Sequence, residues 1–150
     1  MDVEVVPGYG RPNIPISTAV VEAGIRQPAM WITRDVASMR LEREQAGGWP
    51  DPEIEAHQRS MRAVSDGLRG AEYFVRVPEM FHSNFTDVPN WTPLARRFSI
   101  GGPINAEGAH DIVNADALAF FDRHLAGRSS TPLDVGVTHF SEVWFNSRQP

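Results

Sequence analysis

The sequence predicts an α/β fold in which parallel strands are flanked by helices. Two short apolar runs, residues 29–33 and 72–77, lie on either side of a stretch with helical periodicity at residues 51–68. A strand, a helix and a second strand in this order form a crossover unit whose two strands are parallel neighbours. A second helical pattern after Asn105 supplies a further layer for such a sheet. We therefore expect one α/β domain over residues 1–150.

The composition fits a globular domain and excludes several classes of function. The 150 residues are 41% hydrophobic and 22% charged, and a chain of this length buries roughly 70% of its unfolded surface. The net charge of −5 and the scattered arginines argue against a nucleic-acid partner, which requires clustered cationic side chains. Cysteine is absent and no two histidines are spaced i, i+4, so we predict neither a metal site nor a cofactor.

The compartment is left open by the sequence. The longest apolar runs are too short for a membrane span, and the acidic start Met1-Asp2-Val3-Glu4 differs from the basic and then apolar start of an export signal. We expect no transmembrane segment.

The first predicted strand, residues 29–33, is a short apolar run between a breaker and charged residues. Gln27-Pro28 precedes it and Arg34-Asp35 follows it, which is typical of a strand buried on both faces. Upstream, residues 7–15 form a predicted long loop because they are rich in residues with fixed or permissive backbone angles: Pro7, Gly8, Gly10, Pro12 and Pro15.

The helix predicted at residues 51–68 begins with Asp51 as N-cap and Pro52 as the first helical residue. Gly67 and Gly70 end it. Its apolar face takes Ile54, Met61, Val64 and Leu68. The following strand, residues 72–77, is rich in β-branched and aromatic residues and stops at Pro78.

The helix predicted after Asn105 has the clearest amphipathic pattern. Asn105 is its expected cap, Arg123 lies in its last turn and Gly127 follows its end. The stripe expected to face the sheet is Ala109, Ile112, Val113, Ala117, Phe120 and His124. Residues 142–146 predict one more short extended segment.

His82 is the leading candidate for a catalytic residue. It lies just past the strand 72–77, and reactive groups of open parallel sheets gather at the carboxyl ends of the strands. An imidazole there can act as a general base if a carboxylate orients it and a nucleophile is within reach. No Gly-x-Ser-x-Gly turn occurs in the sequence. Ser65, in Ala63-Val64-Ser65-Asp66-Gly67, ends a polar helix and is interpreted as an ordinary residue.

Two carboxylates compete to orient His82. Asp35 directly follows the strand 29–33, so position alone favours it, whereas Asp2 would follow a strand that lies upstream of these residues. Each also has a simpler interpretation as a solvated carboxylate or a turn former. Aromatic residues near His82 could line an acyl pocket, but they are more often packing residues: Phe81, Phe85, Trp91 and Phe98.

Several segments follow a recognisable order. They are Met1-Asp2, Gln27-Pro28-Ala29-Met30-Trp31-Ile32, His82-Ser83-Asn84-Phe85-Thr86-Asp87, Gly102-Pro103-Ile104, Ile112-Val113-Asn114-Ala115 and Ala119 to Gly127. This order resembles the C-terminal part of the platelet-activating-factor acetylhydrolase and lipase-like α/β-hydrolases. The resemblance is strongest from Pro78 to Leu125 and extends in weaker form over nearly the whole chain.

The resemblance implies a serine ester hydrolase with His82 as catalytic base and Asp2 as the acid, and Asp35 remains the second choice. It implies that the serine elbow and the oxyanion hole lie upstream of the residues given, so the chain alone is predicted inactive. It also implies short-chain or lipid esters as substrates, with roles in lipid catabolism.

Two hypotheses follow. In the first, the chain is the base-bearing C-terminal portion of an α/β-hydrolase, with its N-terminal strands and nucleophile elbow absent. In the second, it is a non-catalytic remnant or interaction domain of the same origin. Under both, an unpaired edge of the first strand predicts self-association.

Overall fold

The computed structural model describes residues 5–6, 16–92, 94–129, 131, 133 and 140–149. Two residue pairs, β1 (Val5–Val6) and β2 (Ile16–Ser17), form a small antiparallel ladder, which helix α1 (Thr18–Ala23) follows. The main elements come next along the chain: β3 (Ala29–Arg34), α2 (Val36–Ala46), α3 (Asp51–Asp66), β4 (Glu72–Val77), α4 (Ala106–His124) and β5 (Trp144–Arg148). Three short 3₁₀ turns, His82–Phe85, Val88–Asn90 and Ala95–Phe98, connect β4 to α4.

The main sheet has the order β3-β4-β5 in the described part of the chain. β3 and β4 are parallel, in register from Ala29↔Glu72 to Arg34↔Val77, which confirms both predicted strands and their pairing. The extended segment predicted at residues 142–146 is β5, which starts at Trp144 and runs antiparallel to β4. The molecule therefore belongs to the α/β class, with a small mixed sheet.

The centre of the core lies between β4 and α4. Val75, Val77 and Met80 are fully buried and pack against Ala109 and Ile112 of the helix. Burial of such side chains contributes about 1.5–3 kcal/mol each. β4 is the middle strand of the described sheet and pairs with β3 on one side and β5 on the other. Helix α4 covers the face of β4 that bears Val75 and Val77.

The cap of α4 is confirmed, and its buried face is corrected in part. Asn105 accepts a hydrogen bond from the backbone N–H of Gly108 at 2.9 Å. Ala109 and Ile112 are buried as predicted, but the buried line continues through Asp116 and Ala119. Ala117 is only half-buried. Val113 and Phe120 pack at the margin of the core.

The start of α3 differs from the prediction. Pro50 is the N-cap, so Asp51 is the first helical residue and Pro52 the second, and the helix ends at Asp66. The carboxylate of Asp51 instead binds Arg40 at 2.8 Å and Arg43 at 3.2 Å. Those two guanidinium groups lower the pKa of Asp51. The prediction missed this role because both arginines belong to α2, a helix that the sequence pattern did not indicate.

Helix α2 has many charged residues and a weak apolar stripe, in which Ser38 and Met39 are the buried positions. Its N-cap is Asp35, whose Oδ1 accepts a hydrogen bond from the Ser38 backbone N–H at 2.6 Å. The loop predicted at residues 7–15 and the acid predicted at Asp2 lie outside the described residues.

Candidate functional site

The carboxyl ends of β3 and β4 lie at the same edge of the sheet because the two strands are parallel and in register. Arg34 and Asp35 leave β3 there, and the segment from Pro78 to Phe85 leaves β4 there. This edge is where α/β folds bind ligands. The structure thus places His82, Arg34 and the start of α2 in one neighbourhood.

His82 is exposed and begins the 3₁₀ turn His82–Phe85. It borders a cleft of about 260 Å³ whose other lining residues are Arg34, Met39, Glu42, Gly47, Gly48 and Trp49. A second, shallower groove also reaches His82 and passes along Ile32, His57 and Met61. The imidazole is therefore open to solvent and to a small molecule in the cleft.

The buried side chain of Asn84 holds the backbone on either side of the loop that carries His82. The Oδ1 atom of Asn84 accepts hydrogen bonds from the backbone N–H of Phe81 at 2.9 Å and of Gly102 at 2.8 Å. Phe81 and Asn84 are each 1% exposed. An amide buried this deeply and bonded twice to backbone anchors the turn firmly, because losing a buried partner costs about 1–3 kcal/mol. His82 thus projects from a fixed support.

The approach to this turn is also tightly constrained. Glu79 adopts a left-handed backbone with φ 60°, unusual for a residue with a side chain. Its backbone N–H donates to Ser38 Oγ at 2.7 Å, and its carbonyl accepts from the Ile104 N–H at 3.3 Å. Two neighbouring segments therefore set the direction in which the chain leaves β4.

The carboxylate of Glu42 and the guanidinium of Arg34 belong to residues that line the cleft. Arg34 and Glu42 form an ion pair in which the two side chains are 7% and 15% exposed. The guanidinium carbon of Arg34 stands 5.6 Å from the centre of the Trp49 ring. Glu42 also accepts a hydrogen bond from the backbone N–H of His82 at 2.9 Å.

His57 of α3 lies next to this ion pair, with its ring centre 5.6 Å from that of Trp49. Burial, together with the positive charge of Arg34, lowers the pKa of His57 to about 4. His57 is therefore neutral at pH 7. Of the two imidazoles, His82 lines the cleft of about 260 Å³ and His57 does not.

Of the two predicted acids, only Asp35 is among the residues that the structure describes. Asp35 uses its carboxylate to cap α2 and faces a different groove, with Ser38 and Glu79. Asp2 lies outside the described residues. Over the described part of the chain, the ring of His82 makes no hydrogen bond or ion pair with a carboxylate.

Ser65 lies near the amino end of β4, whereas His82 follows the carboxyl end of the same strand. Its carbonyl accepts a hydrogen bond from Arg148 at 2.7 Å, and Arg148 pairs with Glu72, the first residue of β4. The four candidate aromatics separate into a core residue, Phe81, and three exposed ones, Phe85, Trp91 and Phe98. None of the four lines the cleft of about 260 Å³ beside His82.

Sequence reasoning did not single out Glu42, Arg34 or Asn84. Asn84 gives a weak local signal, because asparagine side chains in turns often form hydrogen bonds with nearby backbone. Glu42 gives no local signal, since its partners are eight and forty residues away in sequence.

The described residues contain no group of three or more His, Asp or Glu side chains arranged to hold a metal ion. Among the helices that the structure describes, none combines the length and apolarity needed to cross a bilayer.

Comparisons with known proteins give no match: no family model fits the chain, and neither a curated protein nor a solved structure is similar to it at a significant level.

Proposed function

We propose that this chain carries the general base of a serine-type carboxylic ester hydrolase, and that His82 is that base. The observation that supports the proposal is the position of His82. It is an exposed imidazole on a braced turn at the carboxyl ends of two parallel strands, bordering a cleft. The resemblance of residues 78–125 to lipase-like α/β-hydrolases adds the reaction class.

In the proposed reaction, a serine hydroxyl attacks the carbonyl carbon of an ester while a ring nitrogen of His82 takes its proton. The proton then passes to the leaving alcohol as the carbon–oxygen bond of the ester breaks. Water, deprotonated by the same imidazole, then attacks the acyl-enzyme. The bond between the acyl carbon and the serine oxygen breaks, the imidazolium returns its proton to that oxygen, and the acid is released. The 150 residues contain no Gly-x-Ser-x-Gly turn, so the serine of this proposal lies outside them.

Asp2 is the proposed partner of the imidazolium. This assignment rests on the resemblance, in which the acid belongs to a Leu-Asp or Met-Asp pair followed by a proline-containing loop. The structure supports the choice of Asp2 indirectly, because the carboxylate of the other candidate, Asp35, caps α2 by accepting a hydrogen bond from the Ser38 backbone N–H.

The proposed substrates are short-chain or lipid esters. The cleft beside His82 measures about 260 Å³, slightly below the range of typical small-molecule sites, roughly 300–1,000 Å³. A cleft of this size suits a short acyl or alcohol group, and a longer lipid chain would extend beyond it.

The first test is the coding sequence upstream of Met1. An in-frame strand followed by Gly-x-Ser-x-Gly supports the hydrolase. A stop codon and a promoter directly upstream would favour the alternative, a non-catalytic remnant or interaction domain.

The second test is a substitution. In an extended protein that carries the serine, we expect His82→Ala to lower turnover of a chromogenic acetate ester by about three to six orders of magnitude. His110→Gln serves as the control, because His110 is a histidine that does not line the cleft beside His82. It lies on α4 and contacts the Thr86 carbonyl at 2.8 Å. Near-full activity of His82→Ala would refute the assignment.

A further inference from the structure

We propose that Glu42 is a positioning residue that holds the backbone of His82 at the mouth of the cleft. The catalytic consequence rests on the proposed function. The contact itself is a feature of the fold and can be measured without any ester.

Glu42 joins three parts of the molecule through one carboxylate. Its Oε1 accepts a hydrogen bond from the backbone N–H of His82 at 2.9 Å. Its Oε2 pairs with Nη1 of Arg34, at the end of β3. Glu42 itself belongs to α2. Hydrogen bonds to an ionised group are about twice as strong as neutral ones, so this carboxylate connects the helix, the strand and the turn more firmly than a neutral side chain would.

The N–H of His82 needs such an acceptor. His82 is the first residue of the 3₁₀ turn His82–Phe85, and the first N–H groups of a helical turn have no partner within it. Glu42 meets this need from forty residues away in sequence. A side chain that caps a turn from a separate element couples the position of that turn to the element.

Glu42 and Asn84 hold the turn from two sides. Asn84 binds the N–H groups of Phe81 and Gly102 in the core, and Glu42 binds the N–H of His82 beside the cleft. The backbone N–H groups of Phe81 and His82 are thereby both fixed, and the imidazole ring keeps only its side-chain rotations. A displacement of about 1 Å in a catalytic group costs roughly a hundredfold in rate, so a turn held at two points has a direct use in proton transfer.

Arg34 fixes the carboxylate in turn. Its guanidinium is almost fully buried and lies over the ring of Trp49. Removing Glu42 would leave that buried charge without its carboxylate, which is costly. Glu42→Ala therefore has two effects, the loss of the His82 contact and the loss of the charge balance. Glu42→Gln separates them, because its amide oxygen can still accept the His82 N–H.

The test measures amide hydrogen exchange in the 150-residue chain. We expect the His82 amide of the wild type to exchange more slowly than an unstructured peptide. Glu42→Ala is expected to accelerate it by about tenfold or more, while the amide of Val75 in the core stays protected. Glu42→Gln should restore part of the protection, because its neutral amide oxygen still accepts the His82 N–H but more weakly than the carboxylate. Glu44→Ala is the matched control, since Glu44 is an exposed glutamate of the same helix.

The same variants are then assayed for ester hydrolysis in the extended protein. Glu42→Ala is expected to lower kcat about tenfold with little change in KM, and Glu42→Gln to recover part of that loss. A residue with a purely structural role would lower stability without this separation of kcat from KM and without rescue by glutamine.

The outcomes separate the two proposals. If Glu42→Ala leaves the His82 amide as slow as in the wild type, the positioning role is refuted, whatever the activity. If the amide is released but His82→Ala keeps full hydrolysis, the contact stands and the esterase proposal fails. Should Glu42→Ala not fold, the wild type decides: a His82 amide exchanging at the rate of an unstructured peptide overturns the inference.

Discussion

At the scale of single residues, the site is defined by what each carboxylate and imidazole already binds. Asp35 follows the last residue of β3 and Glu42 pairs with that residue, Arg34, but Asp35 caps a helix and Glu42 binds the backbone of His82. His57 and His82 border the same groove, but His57 is half-buried and its pKa is lowered to about 4 by burial and by Arg34, whereas His82 is exposed. Environment, not residue type, distinguishes the members of each pair.

The two candidate acids can be told apart by substitution in the extended protein. Asp35→Asn is expected to change kcat little, since asparagine is also a good N-cap, and Asp35→Ala to cost about 1 kcal/mol of stability. Asp2→Asn is expected to lower kcat by several orders of magnitude. Steady-state kinetics and urea unfolding measure the two effects. A large loss of kcat in Asp35→Asn with an active Asp2→Asn would reverse the assignment.

His57 predicts a pH dependence of stability. Its pKa is about 4 in the folded chain against 6.5 for a free histidine, so the unfolded chain takes up the proton first as the pH falls. The free energy of unfolding should therefore decrease between pH 6.5 and 4. Urea unfolding across this range checks it, and His57→Gln should show a shallower decrease. An identical pH profile in the variant would contradict the assignment to His57.

At the scale of elements, the turn that carries His82 depends on the segment before α4. Gly102 passes so close to the loop after β4 that a Cβ atom there would lie 1.9 Å from the Glu79 carbonyl oxygen and 2.9 Å from the Phe81 nitrogen. The same glycine donates its N–H to Asn84. The connection into α4 and the turn of His82 thus form one packed unit.

Gly102→Ala is accordingly expected to destabilise the chain by about 1–3 kcal/mol, because backbone on both sides must move. Gly108→Ala is the matched control: its Cβ would meet nothing closer than 3.8 Å, and in the first turn of α4 alanine should stabilise the helix by up to about 1 kcal/mol. Thermal unfolding of both variants measures the difference. Equal stability of the two variants would show that the loop yields easily.

At the scale of the whole molecule, the described sheet ends at β3. The order β3-β4-β5 leaves one edge of β3 without a neighbouring strand in the part of the chain that the structure describes. Trp31 and Ile32 of this strand are only half-buried. A parallel strand is normally covered on both faces, and the unpaired N–H and C=O groups of an edge strand can pair with a strand from another chain.

The expected consequence is self-association of the 150-residue chain at micromolar concentration. An extended protein that adds the upstream strand of the proposal should associate less, because that strand would occupy the edge. Sedimentation velocity of the two proteins measures this. A monodisperse monomer of the 150-residue chain that melts cooperatively would argue against an open edge and against the proposed hydrolase arrangement.

Local pattern was enough for several elements. The sequence alone determined β3, β4, their parallel pairing, the cap and core face of the first half of α4, and the position of His82 just beyond a strand end. These features follow from periodicity, breakers and capping residues within a few positions, and the parallel pairing follows from the strand–helix–strand order of a crossover connection.

Tertiary structure decided the remainder. Helix α2 has little apolar periodicity, so the sequence pattern did not predict it. Without that helix, the roles of Asp35 as its cap and of Asp51 as the partner of two of its arginines could not be predicted either. The antiparallel direction of β5 was likewise open. The contact of Glu42 with His82 spans forty residues, and no local pattern encodes it, because hydrogen bonds between distant segments depend on how the elements pack rather than on the residues beside them.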